Sequence, residues 1–231
     1  MTALRSALFL IWFVLLTAVM GIIFLPLLVF PRKLTVWMAR HWAGATLWGL
    51  KILCGLDMAV KGQPPKGGVL VASKHMSMWD TLALYIVLDD PGIVLKRELL
   101  RIPFFGWYLW KAAAISIDRG AGADALRRMA HAATTMLSEG RPVLIFPEGT
   151  RKKPGASPDY KPGVAGLYAI LKVPCVPVAL NSGRYWQGYA KSPGTITLEF
   201  LEVIAPGMRR GEFMPLLEQR IETATARLLH D

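Results

Sequence analysis

The sequence predicts an α/β fold, with a mixed, largely parallel sheet flanked by helices, and an N-terminal membrane-associated two-helix motif. Three observations lead there. Short apolar, β-branched runs alternate with longer stretches whose apolar residues recur at helical spacing, the pattern of strands joined by helices. Residues 142–146 are apolar without alternation, as expected of a strand covered on both faces. Residues 6–30 carry no charge at all, a length that can cross a hydrocarbon core about 30 Å thick.

The N-terminal segment reads as a retained anchor. It exceeds the apolar region of a signal peptide, and Leu25-Pro26-Leu27 follows where a small-residue cleavage site would stand. Arg32, Lys33 and Arg40 come after it and Arg5 alone before it, which assigns the rest of the chain to the cytoplasmic side. Residues 34–56 are again apolar and Trp-rich, but Arg40, Gly44 and Lys51 would share one helical face. That fits a helix lying in the interface, and a core helix would show the same amphipathic pattern. The expected division is an anchor with an interfacial helix over 1–58 and an α/β domain over 59–231.

Within that domain, 67–73 forms a strand that closes in a polar turn and delivers His75 at its end. A helix over 79–88, a strand over 93–96 and a helix over 98–110, interrupted at Pro103 and Gly106, come next. A strand over 114–118 leads into an amphipathic helix over 123–138, with Leu126, Met129, Ala133 and Met136 on its apolar side. The strand at 142–146, a helix at 164–171, strands at 175–180 and 195–202 and a helix at 212–229 complete the chain. Pro174 and Pro177 suggest that the 175–180 strand lies at a sheet edge or that they mark its start. Residues 155–162, rich in Pro and Gly, read as a loop. Sites in such sheets gather at the C-terminal ends of strands. His75, Lys96, Arg119 and Glu148 all fall at or just after predicted strand ends.

The net charge of +11 suits nucleic acid, an anionic membrane surface, or an acidic substrate or carrier. No basic run interleaved with aromatics occurs, so nucleic acid is set aside. Cys54 and Cys175 stand alone in apolar contexts and read as buried reduced thiols. His41, His131 and His230 read as structural or solvated, and no clustered set suggests a metal.

Three stretches carry chemistry. In 73–81 a histidine and a carboxylate stand five residues apart, His75 and Asp80, and a carboxylate beside an imidazole fixes its tautomer and stabilises the imidazolium. In Phe146-Pro147-Glu148-Gly149-Thr150-Arg151 a turn exposes a carboxylate, a hydroxyl and a guanidinium, the last suited to bidentate phosphate binding. In 96–119, Lys96 and Arg119 flank an aromatic cluster of Phe104, Phe105, Trp107, Tyr108 and Trp110, which could face lipid or fill the core.

Taken together, 69–180 resembles the glycerolipid acyltransferase family, and within it the bacterial 1-acyl-sn-glycerol-3-phosphate acyltransferases. Four ordered blocks carry the resemblance. His75 and Asp80 match its His-x4-Asp motif, and Lys96, Leu99, Gly106 and Arg119 its second block without a gap. Residues 146–151 match the third block and 173–177 the fourth, with Cys175 where many members carry an aliphatic residue. The N-terminal segment is similar in character to the two-helix motif of bacterial members.

The resemblance implies acyl transfer from a thioester to the sn-2 hydroxyl of 1-acyl-sn-glycerol-3-phosphate, giving phosphatidic acid in phospholipid biosynthesis. His75 would be the general base, Asp80 its orienting partner, and no acyl-enzyme would form. Lys96, Arg151 and Arg119 would bind the substrate phosphate. Glu148 would position the glycerol, Gly149 would admit the substrate to the backbone, and Thr150 would belong to the same substrate-binding turn. No bound cofactor is expected; an acyl-carrier protein or coenzyme A thioester is the donor, and the bilayer and lysophosphatidic acid are the other partners. The location implied is the cytoplasmic face of a bacterial-type inner membrane. Alternatives are another lysolipid acceptor such as lyso-ornithine lipid, a non-catalytic module that binds anionic lipid, or a hydrolase using Ser77.

Overall fold

The computed structural model describes residues 2–118 and 122–231. The first helix, α1 (Thr2–Ile23), is long and apolar enough to cross a membrane. Pro26 ends regular α-helix, because it brings no N–H to the ladder, and a 3-10 turn (Leu25–Val29) follows. After Pro31 the chain reverses into α2 (Arg32–Gly49), which widens into a π turn (Leu50–Cys54) and stops at Gly55, whose φ of 70° suits glycine.

Helix α1 is fastened to the rest of the molecule near both ends. Ser6 Oγ accepts the Lys191 N–H at 3.0 Å and Phe9 is buried, while the Tyr108 hydroxyl donates to Gly21 O at 2.8 Å. The fifteen residues between these points span about 22 Å of helix. Between them Trp12 closes over Gly49, where a Cβ would come within 2.2 Å of the indole nitrogen. On α2, the guanidinium of Arg32 grips Asp90, and Arg40 donates to Tyr85 O and Ile86 O at 3.3 and 3.1 Å. Lys51 pairs with Asp57. Arg40 and Lys51 therefore face protein groups, because the carbonyls that end the following helix and a nearby carboxylate lie within their reach.

A seven-stranded sheet forms the centre. Its strands are β1 (Leu56–Lys61), β2 (Leu70–Ser73), β3 (Gly92–Lys96), β4 (Ile115–Ile117), β5 (Val143–Ile145), β6 (Cys175–Leu180) and, after a short hairpin of β7 (Trp186–Gln187) and β8 (Ala190–Lys191), β9 (Gly194–Phe200). The order is β1-β9-β6-β2-β5-β3-β4. All neighbours are parallel except β6 and β9, so the sheet is mixed and largely parallel. Sequence reading overlooked β1 and the hairpin, and the boundary expected at residue 58 falls inside β1.

The helices are α3 (Met78–Val87), α4 (Phe105–Lys111), α5 (Gly122–Ser138), α6 (Gly163–Leu171), the single turn α7 (Ser182–Tyr185) and α8 (Arg210–His230). Leu70, Ala72, Val143 and Ile145 face α5, α6 and α8, whereas Val71 and Leu144 face α1 and α3. Successive strand residues point to opposite sides, so strands covered on both faces need apolar residues at every position. Each such side chain contributes about 1.5–3 kcal/mol when fully buried.

Strand β6 is interior, not an edge. Pro177 is tolerated there because its nitrogen faces the β9 side, where pairing breaks between Leu201, whose N–H goes to Pro177 O, and Ile204, which bonds to Cys175. Both cysteines are free and buried. The segment expected as an interrupted helix is a 3-10 turn (Arg97–Arg101), a break, and then α4, which runs through Gly106. Phe104, Phe105, Trp107 and Trp110 lie on the surface, the last 72 % exposed.

Candidate active site

The site begins where β2 ends. Lys74 and His75 follow the strand, and Ser77 caps α3, its hydroxyl accepting the Trp79 N–H at 3.2 Å. Asp80, in the first turn, reaches back: one oxygen accepts the N–H groups of Met76 and Ser77 at 2.6 and 2.8 Å and meets His75 Nδ1 at 3.1 Å. The other oxygen accepts from Ser77 Oγ at 3.1 Å. A capping box thus explains the five-residue separation, since the third helical residue is the one whose side chain folds back over the turn before the helix. The helix N-terminus also favours a carboxylate at that position.

This geometry sets the histidine's chemistry. With Nδ1–H donated to a fully buried carboxylate, Nε2 keeps its lone pair and can accept a proton. The ring stacks on Phe146 with centroids 4.0 Å apart, which fixes its plane, and the side chain stays 12 % exposed. Ser77 cannot serve the same base as a nucleophile here: it is buried, capping α3 and bonded to Ser182 Oγ at 2.9 Å.

Strand β5 supplies the facing loop. Gly149 turns at a φ of 62°, its N–H returning to Phe146 O, and the Lys152 N–H bonds His75 O at 2.9 Å. The loop and the His75 turn are thereby joined backbone to backbone. Between them opens a cavity of about 1580 Å³. His75, Lys96, Gly149, Thr150 and Arg151 all line it, so five of the residues singled out from sequence meet in one place. Thr17 and Gly21 of α1, Trp42 of α2, Leu99, Tyr108 and Leu126 extend it as an apolar channel toward the N-terminal helices.

One expectation differs. Glu148 is not among the lining residues; its side chain is 1 % exposed and its Oε1 accepts from Lys74 Nζ at 2.9 Å. The turn at Gly149 sends it inward, so it backs the His75 turn and does not face the cavity. Burial pushes its carboxyl above the ordinary range, against the pull of Lys74 and the His75 amide. Arg119 lies outside the described residues. Conversely, Lys161 and Arg210 line the cavity and were not anticipated, because each lies outside any block of recognisable chemistry. Lys74 was legible only as a neighbour of His75. Gly106, taken from the second block, has a packing role: a Cβ there would lie 2.1 Å from Leu100 O.

A base held by a carboxylate, beside cations at the end of a deep apolar channel, suits transfer chemistry on an amphiphile with an anionic head. The family model described as Acyltransferase matches residues 58–181, more than half of the chain. The chain belongs to the acyltransferase family. This acyltransferase is 36% identical over 79% of its length to the 1-acyl-sn-glycerol-3-phosphate acyltransferase of Pseudomonas aeruginosa, covering 71% of that protein. It is 34% identical over 67% of its length to 1-acyl-sn-glycerol-3-phosphate acyltransferase alpha of Mus musculus, of which it spans 57%. The crystal structure of the 1-acyl-sn-glycerophosphate (LPA) acyltransferase of Thermotoga maritima shares the fold, with a TM-score of 0.80 over 99% of this chain and 98% of that one at 20% identity.

Proposed function

We propose that this acyltransferase moves an acyl chain from a thioester to the sn-2 hydroxyl of 1-acyl-sn-glycerol-3-phosphate, forming phosphatidic acid. The observation that carries the reading is the joint placement of His75, Lys96 and Arg151 on one cavity that continues into an apolar channel. Nε2 of His75 takes the hydroxyl proton as the oxygen attacks the thioester carbonyl. Collapse of the tetrahedral intermediate breaks the C–S bond, and the imidazolium returns the proton to the leaving thiolate. Because the thioester is already activated, no covalent acyl-enzyme is required. Proton transfer of this kind contributes about 10²–10⁴-fold. Asp80 stabilises the imidazolium throughout.

Lys96 and Arg151 bind the phosphate of the acceptor, with Arg119 as a third cation and Thr150 and Gly149 shaping the same end. Among the described residues neither Lys96 nor Arg151 is engaged by a carboxylate, so both charges are available to a ligand. The acyl chain occupies the channel beneath α1 and α2. The donor is carried by acyl-carrier protein or coenzyme A, and the net charge of +11 suits either anionic carrier.

The enzyme works at the cytoplasmic face of a bacterial-type inner membrane, in phospholipid synthesis. Helix α1 presents Ile11, Val14, Leu15, Val19 and Ile22 outward, and α4 adds Trp107 and Trp110. Attachment of α1 to the domain at both Ser6 and Gly21 favours insertion of the α1–α2 pair along one leaflet over an upright crossing.

The test is transfer of a labelled acyl chain to lysophosphatidate by purified protein in detergent, beside His75→Ala and with lyso-ornithine lipid as competing acceptor. Phosphatidate that disappears in the folded variant supports the reading. Phosphatidate formed equally well without His75 overturns the mechanism, and diacyl product from the competitor alone overturns the acceptor.

A further inference from the structure

Behind the catalytic turn, and closed off from the cavity, lies a second charged cluster. Lys74, the residue before the base, is 2 % exposed, and its ammonium reaches three carboxylate oxygens: Glu148 Oε1 at 2.9 Å and both oxygens of Glu222 at 2.8 and 3.0 Å. Glu222 projects from α8, far away in sequence. The Tyr160 hydroxyl, on the loop that follows Arg151, donates to Glu222 Oε1 at 2.9 Å.

Such a cluster is an expensive way to hold α8 in place. Removing the Lys74 ammonium and the Glu148 carboxylate from water costs several kcal/mol per ion, Glu222 keeping 27 % of its side chain exposed, and packed apolar residues would secure a helix as well or better. Helix α8 already has that apolar support in Phe213, Leu217 and Ile221, all fully buried on the sheet. One oxygen of Glu148 is buried without a partner, a further cost that a purely structural element would have no reason to keep. What the cluster touches is the catalytic turn. Glu148 lies against the His75 backbone amide, while the Lys152 N–H holds the His75 carbonyl from the other side. Arg151 stands between Glu148 and Lys152 in the chain, so the Glu148 side chain bears on the backbone spacing between the His75 turn and Arg151.

We propose that Glu222 is a positioning residue for acyl transfer, acting through Lys74 and Glu148 to set His75 relative to Arg151. It does not touch substrate. The proposal rests on the reading of His75 and Arg151 given above and extends the working unit to the C-terminal helix. Misplacing a reacting group by an ångström costs about a hundredfold in rate, so a partial loosening is visible in turnover.

The experiment is a double-mutant cycle on the full-length protein in detergent, with Glu222→Gln, Lys74→Met and the pair. Turnover, KM for each substrate and thermal unfolding are measured on every variant. Glu222→Gln keeps the shape and a hydrogen-bonding oxygen but loses the charge, and it is expected to lower kcat about tenfold with the thioester KM unchanged. In the Lys74→Met background the same substitution is expected to add less than about twofold, the signature of residues acting as one unit. A Glu222→Gln enzyme with wild-type kcat overturns the proposal, as do effects on kcat that simply multiply across the cycle. Should Lys74→Met fail to fold, Tyr160→Phe replaces it, since that hydroxyl donates to Glu222 and must show the same non-additivity. A wild-type protein inactive toward every lysolipid refutes the functional reading instead, and is recognised before any variant is made.

Discussion

Replacing Asp80 with Asn separates two roles that one carboxylate performs. The oxygen nearest His75 accepts three N–H groups, from Nδ1 at 3.1 Å and from the amides of Met76 and Ser77 at 2.6 and 2.8 Å. An asparagine can place its oxygen there and turn its amide nitrogen to Ser77 Oγ, which can accept. The turn and the tautomer therefore survive, and what is lost is the charge opposite the imidazolium. A full charge at 3.1 Å interacts by about 5 kcal/mol at an effective dielectric near 20. The amide dipole keeps part of that, so a net loss of about 2–3 kcal/mol is expected, which is roughly 30–200-fold in kcat. Because Asp80 is fully buried and does not line the cavity, KM for both substrates should stay near wild type. Steady-state transfer of a labelled acyl group, with a thermal melt to confirm folding, reads all three quantities. Wild-type kcat in a folded Asp80→Asn enzyme, or a loss confined to KM, would refute the oriented-base mechanism.

Four more outcomes follow from the same geometry. Ser77→Ala removes the α3 cap and should lower stability by about 1 kcal/mol in chemical denaturation while acyl transfer persists; abolished transfer in a folded variant would return Ser77 to the chemistry. Arg151→Ala should raise KM for a phosphate-bearing acceptor at least tenfold and leave thioester KM unchanged, since a charge-assisted pair is worth about 1.5–3 kcal/mol. Burial raises the Glu148 carboxyl, so the native state keeps a proton that the unfolded chain has lost, and stability should fall as pH rises from about 4.3 toward the raised value. Glu148→Gln should flatten that segment of a urea-midpoint against pH curve. Gly106→Ala forces a Cβ against the Leu100 carbonyl, which should displace α4 and lower the melting temperature more than Gly21→Ala, where the added methyl meets open space.

How much was legible in the sequence follows the range of the forces involved. The His75–Asp80 pair could be read because a capping box is a local device: the helix start alone brings Asp80 back over His75. Strands β2, β5 and β6 were visible because burial on both faces leaves an unbroken apolar run. Strand β1 escaped notice because it is half exposed at the sheet edge and continues an apolar helix without a break in composition. Pro177 pointed to an edge, since a missing N–H says nothing of which neighbour is interrupted.

By itself, then, the sequence determined the class of fold, the pairing of His75 with Asp80 and the turn that carries Arg151, each of which rests on local pattern. Only the tertiary structure decided that Glu148 faces inward, that Lys74 joins it to Glu222, and that Lys161 and Arg210 line the cavity. These outcomes depend on which distant segments share a sheet face or a cavity wall. Side chains brought together by strand order and helix packing leave no periodic trace in the chain that supplies them, because each satisfies its own local pattern and meets its partner only when the layers close.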